Sequence, residues 1–293
     1  MDFVYQHRQP SPPLDRYIES IWYARGQIPY RRERIAPTGS TVAVLVLGAP
    51  IIATSEDGRG VPLVADSGFL IGPHDQPTMN EPTAETHAMG IISTPVGCRT
   101  TFDVAPASLR GRVVPLLPVW TPAFALRDEL LAGIERSGPD PRAFDAAAGL
   151  AAVERALADD MRRRRVDERL GDAIDQSERV VAILEADPMR RIGDIAAEVG
   201  ISHSQLDGEL ARIVGLTPRV LARILRLRRL LADIDVFDAI NWSHLAAEYG
   251  WFDQSHFIRD FKRHTGVTPS AYVAAQLEQF GPADAEPGFV PET

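Results

Sequence analysis

The 293-residue chain has one cysteine, Cys98, and one lysine, Lys262. A single thiol excludes an intrachain disulfide, and no Cys-x-x-Cys or His-x-His spacing points to zinc. Long hydrophobic runs are missing as well. The longest, at residues 42–47 and 113–119, fall far short of the roughly 20 residues a membrane-spanning helix needs. The start, Met1-Asp2-Phe3-Val4-Tyr5, has no basic flank leading into an apolar stretch, so no secretory signal is read. The expectation is a cytoplasmic protein with no membrane partner. A glycine-rich phosphate loop and a Gly-x-Ser-x-Gly elbow are both absent, so no catalytic residue, cofactor or metal is expected. His74, His87 and Cys98 would form a site only if the fold brought them together. Trp22, Tyr23, Phe102 and Trp120 are candidates for a pocket lining, with core packing the plainer role.

Basic charge is also scarce: the net charge is −9, an unpromising balance for a nucleic-acid partner. The deficit is uneven, however. Residues 178–276 carry 12 basic and 13 acidic side chains, which leaves −8 for the rest of the chain. Almost all the positive charge is arginine, whose planar fork suits bidentate phosphate contacts, although a GC-rich genome would produce the same bias.

What is present divides the chain in two. Up to about residue 120, short apolar alternations broken by Pro and Gly predict strands at 40–47, 61–65, 67–71, 87–93 and 112–117; residues 16–23 read as a short helix or a strand. Helices are predicted over 124–136 and 142–165, the second closing on the run Arg162-Arg163-Arg164-Arg165, where positive charge suits the helix C-terminus. The resulting expectation is an α+β chain: a β-rich sensor-like domain with a helical tail over 1–165, a linker at 166–177, an all-α domain over 178–276, and a disordered tail at 277–293.

The all-α part contains a diverged repeat. Its first copy reads Ile195-Ala196-Ala197-Glu198-Val199-Gly200, then Ile201-Ser202-His203-Ser204-Gln205-Leu206, and ends Gly215-Leu216-Thr217-Pro218. The second reads Leu245-Ala246-Ala247-Glu248-Tyr249-Gly250, then Phe252-Asp253-Gln254-Ser255-His256-Phe257, and ends Gly266-Val267-Thr268-Pro269. The small residues make a short helix that a partner can approach closely. The glycine allows the left-handed backbone that ends that helix, and Ser202 or Asp253 caps the next one. That next helix has apolar anchors at 206, 210 and 213, or at 257 and 261, so one face is buried and the other is free. Helix, glycine turn and capped helix is the helix-turn-helix plan.

The stretch from Ile240 to Val273, with Gly250, the Asp253-Gln254-Ser255-His256-Phe257 block, Arg259-Asp260-Phe261-Lys262-Arg263 and Thr268-Pro269-Ser270-Ala271-Tyr272, resembles the signature of the AraC family of bacterial regulators. With the first copy, the resemblance covers about 100 residues. It implies two helix-turn-helix units joined by a long helix, which residues 218–231 fit: Leu221, Ile224, Leu225, Leu227, Leu230 and Leu231 form an apolar face. It also implies a cytoplasmic transcription regulator, taken as an activator. The implied partners are double-stranded DNA, RNA polymerase, a small-molecule effector and a second copy of the chain.

The resemblance puts Gln254, Ser255 and Ile258 on the exposed front of the second recognition helix. Gln254 can pair bidentately with adenine, and Ser255 with either kind of base edge. Arg259, Lys262 and Arg263 suit phosphates, and His256 suits either role. The first copy departs from the pattern. Asp207 and Gly208 fall where groove-facing residues are expected, leaving His203, Ser204, Gln205 and Arg212 as candidate contacts. The front half resembles, more loosely, the sensing or dimerising domains of some such regulators, through residues 14–22, 35–39, Gly72-Pro73-His74 and the glycines near 90 and 97. Two alternatives stand beside the small-molecule sensor: a regulator gated by a protein partner, and, more distantly, an alkyl-transfer protein using Cys98.

Overall fold

The computed structural model describes residues 3–138, 143–164, 168–281 and 287–293. The ends of the predicted helix at 142 and 165, the start of the predicted linker and residues 282–286 of the predicted tail lie outside the described residues.

The N-terminal half contains the strands β1 (Val4–Arg8), β2 (Ile18–Gly26), β3 (Arg32–Ile35), β4 (Val42–Val46), β5 (Ile51–Thr54), β6 (Leu63–Ala65), β7 (Gly68–Ile71), β8 (Thr78–Pro82) and β9 (Thr86–Ser93). Then come the short helices α1 (Gly97–Phe102) and α2 (Pro106–Leu109), strand β10 (Val113–Pro115), and the helices α3 (Pro122–Arg136) and α4 (Ala146–Arg163). One antiparallel sheet runs β1-β2-β9-β4-β7-β10. The larger sheet explains the run at 42–47. On β4, Ala43 and Leu45 face a core shared with α3 and α4, while Val44 and Val46 face a second core with Ile51, Ala53, Phe69 and Ala88. A strand buried on both faces reads as continuous apolar sequence rather than as an alternation. Residues 14–23 divide into a single 3-10 turn, Leu14–Arg16, and the start of β2.

Helix α4 is tied to this core by a buried polar group. Asp160 accepts a 2.9 Å hydrogen bond from Trp120 Nε1 and is ion-paired with Arg164. The arginine run is thus used locally: Arg162 pairs with Asp159, and Arg163 lies 3.5 Å from Asp160. Trp120 and Phe102 stack edge to face inside the core, as their plainer role requires.

The C-terminal half is helical: α5 (Glu168–Ala186), α6 (Ile192–Glu198), α7 (His203–Ile213), α8 (Pro218–Asp233), α9 (Trp242–Glu248), α10 (Gln254–Thr265) and α11 (Pro269–Gln279). Two of the expected boundaries are corrected. From residue 168 onward the predicted linker is helix, because Ala173 and Ile174 on α5 are buried against α7 and α8 in the first unit's core. Asp172 and Asp175, two of the polar residues behind that expectation, lie on the exposed face of α5. The tail is also ordered at its end: Phe289–Glu292 form β11, which pairs antiparallel with β3. The second sheet therefore runs β11-β3-β8-β5-β6. Val290 drives this pairing, since it is buried in one cluster with Ala36, Leu230 and Tyr272.

Replacing Asp160 with Ala should leave the Trp120 N–H and the Arg164 charge without their buried partner, at a cost of about 1–3 kcal/mol. A lower thermal midpoint of the full chain checks this; an unchanged midpoint would show that water replaces the carboxylate.

Candidate nucleic-acid interface

Each repeat builds the same local structure from the same residue types. Gly200 and Gly250 take φ of 75° and 76°, a left-handed backbone that closes α6 and α9. Ser202 and Asp253 then cap α7 and α10, accepting from the backbone N–H of Gln205 and His256. Thr217 and Thr268 cap α8 and α11 in the same way, each followed by a proline in the first turn. The anchors Leu206, Leu210 and Ile213, and Phe257 and Phe261, are all buried.

Burial of one face leaves the other face of α10 open. Gln254, Ser255, Arg259 and Lys262 are exposed, and Ile258 lies at the surface among them. The steps 254, 258, 262 and 255, 259 are i to i+4, so these side chains form adjacent rows along one side of the helix. Arg259 and Lys262 make no ion pair among the described residues. Asp260, next to Arg259, points inward instead. It accepts from Arg226 Nη2 at 3.0 Å and from Trp251 Nε1 at 3.1 Å, with the Arg226 guanidinium 4.2 Å above the Trp251 ring. This buried network was missed in sequence, where Asp260 reads as one more surface charge.

Three expected contacts are already engaged. His256 is half-buried, with Nε2 3.5 Å from Asp260. Gln205 turns back on its own cap: its Oε1 accepts from the Ser202 N–H at 2.9 Å, completing a capping box. Arg263 donates to the Asp75 carboxylate at 2.6 Å, across to the N-terminal half. In the first unit His203 lies 3.7 Å from Asp207 and Arg212 lies 3.7 Å from Glu209, whereas Ser204 is exposed with no such partner among the described residues. The sequence also gave no signal for Phe252, which is 92% exposed beside the cap of α10.

The Asp75 contact continues below the helix. His264 Nδ1 hydrogen-bonds the Asp75 carbonyl at 2.7 Å, and His74 Nδ1 bonds the Gly72 carbonyl at 2.7 Å. Burial pushes both imidazoles below their ordinary range and so favours their uncharged forms. Burial alone would raise the Asp75 carboxyl, but the Arg263 hydrogen bond and charge outweigh it and hold the group below the usual carboxylate range.

Of the remaining sequence candidates, His87 packs against Tyr23 and Phe144, far in role from His74. Among the described residues no group of three or more metal-ligating side chains occurs. Burial pushes the Cys98 thiol up to about 11, the opposite of what a reactive thiolate needs. No helix among the described residues is long and apolar enough to cross a membrane.

Residues 195–275 match a helix-turn-helix domain family, and residues 6–115 match a domain of unknown function, DUF6597. The C-terminal region is an AraC-type helix-turn-helix domain. A domain of this type is a DNA-binding one of transcription regulators. No curated protein matches the chain significantly. Among solved structures, ToxT from Vibrio cholerae O395 is 12% identical with a TM-score of 0.46, over 92% of this chain and 97% of that one. ToxT of V. cholerae strain SCE256, solved with an unsaturated fatty acid bound, is 12% identical with a TM-score of 0.45, over 92% and 94%. The AraC-like transcriptional activator CuxR is 14% identical with a TM-score of 0.26, over 78% and 86%. Likenesses this slight carry no argument about function.

Within this AraC-type domain, Gly208 is the clearest local weakness. A Cβ built there meets nothing within 4 Å, and glycine inside a helix costs about 1 kcal/mol relative to alanine. Gly208→Ala should therefore raise the thermal midpoint of the full chain, by an amount corresponding to about 0.5–1 kcal/mol. A fall would show that the first unit needs the glycine for a close approach not made within the chain.

Proposed function

We propose that the chain is a sequence-specific transcription regulator whose second recognition helix, α10, reads the major groove of duplex DNA, and whose N-terminal half senses a small molecule. In this reading Gln254 and Ser255 contact base edges, Ile258 meets a thymine methyl, and Arg259 and Lys262 bind flanking phosphates. The first unit adds Ser204 and, after local ion pairs open, His203 and Arg212. The observation that carries the reading is the row of side chains on α10: polar and basic, exposed, and with Arg259 and Lys262 free of ion pairs among the described residues, while every apolar position of that helix but Ile258 is buried. A cation paired with a neighbouring carboxylate has its charge largely offset before any phosphate arrives; among the described residues Arg259 and Lys262 have no such pair.

The sensing half of the proposal rests on a cleft of about 650 Å³ between the two halves. Arg16, Glu19 and Val96 line it from the N-terminal side, and Glu178, Glu185 and Arg228 from α5 and α8. That volume falls within the roughly 300–1,000 Å³ typical of small-molecule sites. A molecule seated there would touch the helix that both DNA-reading units share, which favours a small-molecule effector over a partner protein on a flat surface.

Selection from random duplex DNA tests the DNA reading. The full chain is the proper sample, because Val290 completes the second unit's core and α5 begins at residue 168. One preferred motif is expected. Gln254→Ala should relax a single position by about 1–3 kcal/mol, and Arg259→Ala should weaken all sequences alike and reduce the salt dependence by about one phosphate. Failure to enrich any sequence, with weak binding at low salt, would overturn the proposal.

A further inference from the structure

The last strand belongs to two bodies at once. Through its backbone, β11 extends the N-terminal sheet in the register Phe289 to Ile35, Val290 to Arg34, Pro291 to Glu33 and Glu292 to Arg32, with the Ala36 N–H bonded to the Gly288 carbonyl at 2.9 Å. Through its side chains it belongs to the DNA-reading half. Val290 is buried with Leu230, Phe261 and Tyr272, and the Tyr272 hydroxyl accepts from the Gly288 N–H at 3.1 Å. The strand follows α11, so the segment that closes the second unit is also the segment that fastens it to the other half.

Arg34 links this strand to the recognition helix. Its guanidinium is ion-paired with Glu292 and donates to Asp57 at 2.6 Å. Its Cδ and Asp57 Oδ1 both press on the turn that ends α10, each 2.6 Å from where a Cβ on Gly266 would stand. Gly215, the equivalent residue of the first repeat, is docked in the same manner against Pro73 and Pro106. The N-terminal half therefore holds the C-terminal ends of both recognition helices. At the second of them it also takes a cation that the DNA reading assigns to phosphate, since Arg263 is paired with Asp75.

The fastening is built to be short. The strand has four residues, one of them Pro291, which cannot donate to the ladder. The Glu292 side-chain carboxylate is gripped at 2.6 Å by Arg32, which is 40% exposed to solvent. An exposed pair such as Arg32–Glu292 contributes little by itself, so the strand is held by the buried Val290 and Pro291, a few backbone bonds, hydrogen bonds to Gln276 and Tyr272, and the Arg34 ion pair.

We propose that the outer edge of β3 is a strand-docking surface that holds the chain's own segment Phe289–Glu292 reversibly, and that its parting from β3, with Val290 kept in the second unit's core, together with the opening of Asp75 from Arg263, frees the second recognition helix for DNA. The proposal rests on the DNA reading above for its consequence, though not for the docking itself. In the docked state Arg263 is spent and the Asp75 carboxylate lies beside the phosphate-binding side of α10. In the released state Arg263 joins Arg259 and Lys262, and α10 is no longer braced through Gly266.

A reversible lock in the full chain tests this. Pro291 and Glu33 face each other in the register. Proline at this position requires a non-hydrogen-bonded pair, whose Cα atoms lie about 4.5 Å apart, within the range a disulfide spans. Glu33→Cys with Pro291→Cys forms the lock, and Cys98, 1% exposed, does not compete for the oxidant. Against the duplex selected by the wild-type chain, the oxidised form should bind about tenfold more weakly than the reduced form. Equal affinities would overturn the proposal. If the double variant does not fold, Arg32→Glu serves, since Arg32 is partly exposed and outside both cores. It loosens Glu292 and should tighten DNA binding several-fold, although loss of a positive charge would by itself weaken it; unchanged or weaker binding overturns the proposal. A readout without DNA separates this idea from the function it serves. Amides of α10 should exchange more slowly in the oxidised than in the reduced form, and equal exchange would show that the strap does not act on that helix, whatever the chain binds.

Discussion

The C-terminal half depends on the apolar face of one helix. Leu221, Ile224 and Leu225 of α8 are buried in the core of the first unit, and Leu227, Leu230 and Leu231 in that of the second. The short helices add little to either core: α6 and α9 are seven residues long, and each gives few buried side chains. Removing these leucines from water at about 25 cal/mol per Å² stabilises both units through a shared element. It also fixes the distance between α7 and α10. The two recognition helices therefore present themselves to a partner as one rigid body, and the separation of the two parts of a DNA site would follow from the length of α8.

The repeat was legible in sequence because backbone chemistry demanded particular residues. Gly200, Gly250, Ser202, Asp253 and the two Thr-Pro steps sit where a left-handed residue, a side-chain cap or a helix start is required, and few other residues serve there. The N-terminal half was legible only in part. Its central strands β4, β7 and β9 are apolar enough to be found, but β1, β3 and β8 are short and polar, and β3 and β8 pair with strands distant in the sequence. The terminal strand was missed for the same reason. Phe289-Val290-Pro291-Glu292 has the composition of a disordered tail, and only the distant surface formed by Ala36, Leu230 and Tyr272 turns Val290 into a core residue.

The candidate site divided along similar lines. A helical period predicts which face of a helix is buried, and the family resemblance put Gln254, Ser255 and Ile258 on the open face, where they lie with Arg259 and Lys262. It does not predict what an outward side chain meets. His256 and Gln205 are caught by near neighbours on their own unit, and Arg263 by Asp75, 188 residues earlier in the chain. Such engagements are set by the docking of the two halves. The local pattern carries no trace of them, and they decide which cations are available to phosphate.

Hydrogen exchange in the full chain carrying Ile224→Ala tests the shared-helix account most directly. Ile224 lies wholly in the first unit's core, and the truncation should cost about 2–5 kcal/mol. Because α8 serves both cores, amides of α7 and α10 should lose protection together and by similar amounts. If α7 opens while α10 keeps its wild-type protection, the units fold separately, and the recognition helices are not held by a common core.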